Sequence, residues 1–426
     1  MTTGVRESNH HTRKESIMSN QKRKEQNMSQ PNLPFGTVLP SKRYPFTLSN
    51  RVLVADRRQD NGVLGNYGME NLLNDLREYE AGQEVEDLRR PLTRLSADFT
   101  NGYMEASFLS EDGEKTTSYL VTNTAANHLS SMILPARFFT GLKDLAQLDK
   151  EGAVIASDAW NKFASVTNEQ ETRLVRTVRR AFAKNDIRRV IRSVHGKGYA
   201  VYNHTQFVED MMQNGGDFVH MPILSWTLTD NAFRVRFAAL DGEKAAFGRW
   251  DPSVLTNEPV PMVEAWNSET GGKSTGLRGG MFNLKDMTGF GHWDQHRDYK
   301  WIHRGSTDRI RAGVLTAFEN LQATAKEVAE AFLAAREVEV EQPMEFVEEV
   351  STLLTDRTRK NTEAILAEDH RPDQGSLAAL ISALALSAAQ EEDLEEQEKV
   401  ESAASTLLKK GLDLADKNNW KIPAKK

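Results

Sequence analysis

Three features of the sequence predict an α+β protein: short runs of β formers joined by turn signals through its middle, a switch to helical periodicity after Gly305, and charge segregated along the same division. Strands linked by hairpin-length connections predict a mostly antiparallel sheet core with flanking helices, since parallel neighbours need long crossovers. A C-terminal helical segment is expected after it and a disordered, polar N-terminal tail before it.

The tail spans 1–34, where charges stand among Asn, Gln and Ser with too few aliphatic residues to bury. A lead-in segment over 35–92 holds the run Val52-Leu53-Val54-Ala55 and a charged helical stretch over 71–88. The core domain is placed at 93–305. Runs of β formers at 103–109 and 116–121 flank Glu111-Asp112-Gly113-Glu114 and predict a hairpin. A short helix over 123–134 stops at Pro135, and strand signals continue at 154–155, 199–202, 219–229, 233–240 and 260–266, with a tight turn at Asp230-Asn231. After Gly305, Val314, Phe318, Leu321, Ala325, Val328 and Phe332 recur three and four apart and form one apolar stripe. Ser306 or Thr307 is positioned to cap that helix. Further helical segments are expected near 343–366, 375–390 and 394–415, and 416–426 forms a basic tail. Residues 335–402 carry 18 Asp and Glu against 6 Lys and Arg, so the region 306–415 is helical and acidic.

Several chemistries are excluded. The chain has no cysteine, which removes disulfides, thiolate nucleophiles and cysteine-held zinc or iron–sulfur sites. No apolar run approaches the ~18 residues of a membrane span, and the N-terminus lacks the apolar stretch of a secretory signal, so a cytoplasmic protein with no membrane partner is expected. The net charge of −7 hides its distribution.

Between Glu171 and His204 nine Lys and Arg oppose two acids, a local charge of +7. On a helix, Arg173, Arg176, Arg180 and Lys184 share one face while Leu174, Val178 and Phe182 lie opposite. Arg188, Arg189, Arg192 and Lys197 extend the basic surface as far as Tyr199. Arginine suits a phosphate backbone because its planar fork grips two oxygens and keeps its charge. The plainer reading pairs these arginines with the acidic C-terminal helices, which would then cover a basic groove and regulate it.

A second segment, Gly291 to Arg304, packs Trp293, Arg297, Tyr299, Lys300, Trp301, His303 and Arg304 together. Aromatic rings interleaved with cations match single-stranded nucleic acid, whose bases stack while its phosphates are neutralised. The plainer reading makes the tryptophans core residues. His292 and His296 stand four apart but lack the intervening glutamate of a His-Glu-x-x-His metal motif. Asn267-Ser-Glu-Thr-Gly-Gly-Lys-Ser274 ends like a phosphate-binding loop, yet Asn267 stands where that motif begins with Gly.

The order Ala125-x-x-x-Leu129, Pro135-x-x-Phe138, Arg189-x-x-Arg192-Ser193, Tyr199, Asn203, Asn267-Ser-Glu-Thr-Gly271, Arg278-Gly-Gly-Met281 and Ile302-His-Arg-Gly305 resembles the phage- and plasmid-encoded family catalogued as domain of unknown function 932. The resemblance runs over roughly 93–415. The chain departs from that pattern at Gly279-Gly280-Met281, where relatives carry a Cys, a polar residue and Asn-Gly. The resemblance implies residence on mobile DNA and brings no established activity.

Together these readings predict a mobile-element protein that binds nucleic acid, single-stranded DNA above all, as a recombination, annealing or replication accessory. The predicted contacts are Arg173, Arg176, Arg180, Lys184, Arg188, Arg189, Arg192, Lys197, Tyr199, Trp293, Arg297, Tyr299, Lys300, Trp301, His303 and Arg304. No cofactor, metal or catalytic residue is assigned. Two alternatives stay open: an interaction factor acting on a host defence or replication component through its acidic helices, and a metal-dependent nuclease or hydrolase using His292, His296, His303 and nearby Asp residues. Self-association into a homo-oligomer also stays open.

Overall fold

The chain is seen in a computed structural model that describes residues 40–41, 44–48, 53–58, 67–109, 115–135, 137–167, 172–183, 186–196, 198–214, 221–229, 232–239, 259–271, 273–284, 286–350, 354–368, 375–391 and 394–423. The tail over 1–34 and the turns expected at 111–114 and 230–231 lie outside the described residues.

Pro40–Ser41 (β1) pairs with Tyr44–Leu48 (β2), and Leu53–Arg58 (β3) joins a larger sheet. Met69–Gln83 (α1) buries Leu72, Leu73, Leu76 and Tyr79, the three-and-four spacing of one helical face. Next come Glu86–Pro91 (β4), Leu95–Asp98 (β5), Glu105–Leu109 (β6) and Lys115–Val121 (β7). With Thr172–Ala183 (β8) and Asp186–His195 (β9) they build a six-stranded sheet in the order β4-β8-β9-β7-β6-β5. Its one parallel pair, β7 with β9, is bridged in sequence by Asn123–Ile133 (α2), Phe138–Leu148 (α3) and Lys150–Val166 (α4). Trp160, Phe139, Leu129, Val175 and Ile191 form the core between these helices and the sheet.

His204–Asn214 (α5) leads into an antiparallel sheet of Ile223–Thr229 (β10), Phe233–Ala238 (β11), Pro259–Asn267 (β12), Thr275–Asn283 (β13), Thr288–Gly291 (β14) and Tyr299–Trp301 (β15), with β3 beside β10. Thr307–Ala334 (α6) lies across it, capped by Ser306, whose hydroxyl accepts from Arg309 N at 3.4 Å. Contact is close because Gly279 has no side chain: a Cβ there would stand 2.9 Å from Ala325 N and Leu321 O. Phe207, Val235, Phe237, Val263, Leu277, Val314 and Leu321 fill the interior.

Beyond α6, Glu339–Val340 (β16) precedes Pro343–Val350 (α7), Asp356–Glu368 (α8), Leu377–Ala389 (α9) and Leu394–Lys417 (α10), and Lys421–Ile422 (β17) returns to pair parallel with β16. Helix α9 is buried almost all round, which its run of Leu, Ala and Ile permits. It shares a core with α10, Phe332 and the β13–β14 residues Met281 and Phe290. The α+β class, the antiparallel sheets and the helical C-terminal region are as the sequence predicts.

Three local expectations are overturned. The basic segment expected as a helix is the β8–β9 hairpin. Val175, Thr177, Val178, Val190, Ile191 and Val194 are β-branched, and a sheet buries them on both faces. Register shifts at Arg176/Thr177 and Ala181/Ala183 mark bulges in the hairpin, and burial on both faces removes the period of two that would have announced a strand. The pair Val154-Ile155 lies in α4 and is exposed, since a two-residue apolar run inside a helix that Asp149 caps at Gly152 N cannot turn the chain into a strand. Residues 200–202 are not a strand; only Tyr199 makes an isolated bridge, to Arg304.

Candidate functional site

Arg192, Tyr199, Asn203, the run Asn267 to Gly271 and the segment Ile302 to Gly305 meet in one place, where the end of β9, the entry to α5, the β12–β13 turn and the segment after β15 converge. Glu269 lies at its centre. Its carboxylate takes Arg192 Nη1 at 2.9 Å, Arg176 Nη1 at 3.4 Å and the backbone N–H of His204 at 2.6 Å. That last bond satisfies one of the unpaired N–H groups in the first turn of α5. Arg176 also forks onto Asp87 with two bonds of 2.8 Å and donates to Asn203 at 3.2 Å. Burial alone would raise the Glu269 carboxyl, but His204, Arg192 and Arg176 outweigh it and hold the group at about 2.

A polar chain runs outward from this cluster. His204 Nδ1 faces Asn267 Nδ2 at 3.2 Å, Asn267 Oδ1 accepts from Thr275 Oγ1 at 2.7 Å, and Thr275 Oγ1 stands 3.1 Å from His303 Nε2. His303 Nδ1 lies 3.1 Å from Ala200 O. Because Asn267 Nδ2 is a donor, His204 Nδ1 must accept, which makes His204 the neutral tautomer with its proton on Nε2. Burial is the main cause that pushes His204 down to about 4 and His195 down to about 3, with His128 adding to the latter.

Above the cluster opens a cleft of about 790 Å³ bordered by residues 194–196, 198–199, 271, 273–274 and 302–305 and by His128 and Met132 of α2. Two backbone bonds tie its walls: Ala200 N donates to His303 O and Gly305 N to Gly198 O. Along one wall three rings stack, Tyr199 on His195 at 3.7 Å with 11° between planes and Tyr199 on His303 at 5.2 Å and 18°. Gly271, at φ +71°, clears this stack, since a Cβ there would meet the Tyr199 ring at 3.0 Å. Ser193 Oγ sits 2.7 Å from His195 Nε2, but Ser193 is fully buried. At the mouth stand the exposed Ile302 and Arg304 and the half-buried Lys273, whose ammonium lies over the Trp266 ring at 5.3 Å and pairs with Glu398 of α10.

The predicted contacts are thus dispersed. Tyr199, His303 and Arg304 border the cleft, and Arg192 and Arg176 lie beneath it, 1% and 2% exposed, bound to carboxylates. Arg179 and Arg189 pair with Glu84, and Arg189 also with Glu86 at 3.1 Å. The acids paired with Arg176, Arg179, Arg189 and Arg192 thus stand just after α1, on β4 and in the β12–β13 turn, where the sequence had pointed to the C-terminal helices. Arg173 reaches over Gly196 at the cleft border, and Arg188 is exposed on β9. The side chain of Arg180, and Lys184 and Lys197 entirely, lie outside the described residues.

Tyr299 and Trp301 stack on each other at 6.2 Å against the core under α6, and Trp293 packs on the C-terminal core. Arg297 pairs with Glu327, and Lys300 with Asp298 at 3.2 Å. His292 faces Glu327 at 3.8 Å while His303 faces Thr275 and Ala200, so the histidines of the hydrolase reading look into different surroundings. Among the described residues no group of three His, Asp or Glu is arranged to hold a metal ion.

His195 and His204 were not singled out by sequence reading, and Asn267, Glu269 and Lys273 were read only within the run Asn267 to Ser274, which scans as a defective phosphate loop until its carboxylate is seen to be buried. No protein-family model, curated protein or solved structure matches the chain.

Proposed function

We propose that this protein binds single-stranded nucleic acid at the cleft above Glu269, as a mobile-element protein serving recombination or replication. The observation that carries the reading is the stack of neutral rings, His195, Tyr199 and His303, walled by glycines and flanked by Arg304 and Lys273. The half-buried Tyr199 and the exposed Ile302 suit the apolar part of an unpaired base, the two cations suit its phosphates, and glycine lets a backbone approach closely. The Glu269 network beneath holds the stack in register and keeps its own charges internal. No described helix is long and apolar enough to cross a membrane.

Fluorescence anisotropy of a labelled single-stranded oligonucleotide, titrated at two salt concentrations beside the matching duplex, tests this. Arg304→Ala and Lys273→Ala are expected to weaken binding across sequences alike, each flattening the salt dependence by about 0.7 in log–log slope. Absence of binding at low salt rejects the reading and points instead to a protein partner.

A further inference from the structure

Asn267 fixes the direction of the hydrogen bonds that lead from it to the cleft. Its Nδ2 donates to Tyr202 O at 2.8 Å, so its Oδ1 can only accept, and the Thr275 hydroxyl 2.7 Å away gives its one proton there. The next contact, Thr275 Oγ1 to His303 Nε2 at 3.1 Å, must then be donated by the imidazole. So must the one after it, because Ala200 O, 3.1 Å from His303 Nδ1, is a carbonyl oxygen and brings no proton. While His303 is neutral, these three contacts share two protons, that of the hydroxyl and that of the single ring N–H. An imidazolium has two N–H groups and completes the set. Thr275 and His303 are both buried, where an unmade hydrogen bond is costly.

Burial opposes that charge and pushes the His303 imidazole down from its ordinary range. The groups around it are divided in sign. Glu269 of the β12–β13 turn favours a charge on the ring, and Tyr199, stacked on it, is neutral. His195 beyond Tyr199 and His204 at the far end of the polar chain disfavour it, as do the cations Arg304 and Lys273 on the cleft border. A phosphate in the cleft adds negative charge beside those two cations and reverses the balance.

We infer that His303 takes up a proton when an anionic strand enters the cleft, so that binding there is coupled to pH. The inference rests on the cleft reading and deepens it by giving the site a regulator. In the free protein the ring is neutral and the set is one proton short. In the bound protein both ring nitrogens donate; the proton comes from the buffer, and the only bond made is N–H. A ligand that raises the proton affinity of a group binds more tightly as pH falls.

The test is calorimetric titration of the full chain with oligothymidylate, whose bases do not titrate just below neutrality, in two buffers of different ionisation heat near about pH 6.5. The difference in heat between the buffers counts protons. The parent is expected to take up as much as about one proton, with affinity rising several-fold from about pH 8 to about pH 6 and by no more than about tenfold per pH unit. His303→Gln removes the titrating ring and Thr275→Val removes the acceptor that faces Nε2, and both are expected to bind without proton uptake. Uptake that persists in either variant overturns the assignment to His303 and its contacts. Equal heats in both buffers, with the parent bound, overturn the coupling and leave the cleft reading intact. Nitrogen NMR of the histidine-labelled parent reads the same event without a variant: on binding, both His303 ring nitrogens should move to the protonated position, and unmoved signals overturn the coupling. If the oligonucleotide does not bind the parent at any of these pH values, cleft and coupling fall together.

Discussion

Glu269 carries the charge balance of two buried guanidinium groups and one helix N-terminus. Removing that charge while keeping the shape leaves Arg176 and Arg192 short of a counter-ion in the interior. Glu269→Gln is therefore expected to cost about 3–5 kcal/mol of unfolding free energy, measured by chemical denaturation. A loss below about 1 kcal/mol would mean that Asp87 and solvent already balance these arginines. The neighbouring histidines set the response to acid. His195 and His204 are held by burial at about 3 and about 4, below the ~6.5 of an unfolded chain, so as pH falls the unfolded state takes up the proton first. Stability is then full above about pH 6.5 and drains away down to about pH 3, with Glu269 adding its loss between about 4.5 and about 2. Thermal melts stepped from neutral to pH 4.5 should show a steady fall in Tm, and a flat profile would mean that these rings are protonated in the folded protein.

At the scale of elements, two glycines show how closely neighbours approach. An added Cβ at Gly313 of α6 would stand 2.1 Å from Trp301 Nε1, and one at Gly276 of β13 would stand 2.2 Å from the Trp266 ring. Gly313→Ala is expected to push the Trp301 indole outward at a cost of about 1–3 kcal/mol, read as a lower Tm with a red-shifted tryptophan emission. Helix α6 was legible because its stripe repeats over many turns and nothing interrupts it. The β8–β9 hairpin was not, because Val175 to Val178 are buried on both faces and show no alternation, and the arginines at 173, 176 and 180 stand three and four apart, the spacing of a helix face. The cleft was partly legible. Tyr199, His303 and Arg304 were named from local composition, whereas Glu269, Asn267 and His195 acquire their roles from contacts among three segments far apart in sequence. Trp293, Tyr299 and Trp301 read alike as stacking or core residues from sequence, and all three are half-buried, packed against the margin of a core.

For the whole molecule, the acidic C-terminal region is fastened to the larger sheet by charge as well as by its apolar core. Glu401 of α10 reaches Arg236 at 2.7 Å and Arg234 at 3.1 Å, and Glu264 of β12 takes Arg236 and Arg278 at 2.7 Å each. The buried Arg234 and Arg236 and the half-buried Arg278 thus share two carboxylates, one from each part. Burial alone would raise Glu401, but Arg234 and Arg236 overcome it and keep the group ionised. Glu401→Gln is expected to destabilise the protein by about 3–5 kcal/mol, and limited proteolysis should then cut first within 340–420.

Under the strand binding proposed above, the contact between Glu398 of the same helix and Lys273 at the cleft mouth extends this dependence to the ligand. A phosphate and the Glu398 carboxylate are rivals for one ammonium group. Rivalry of this kind is reciprocal: whatever free energy Glu398 withholds from a bound strand, the strand withholds from the seating of α10. Occupancy of the cleft should therefore be audible at a distance, as faster amide exchange along the helix that carries Glu398.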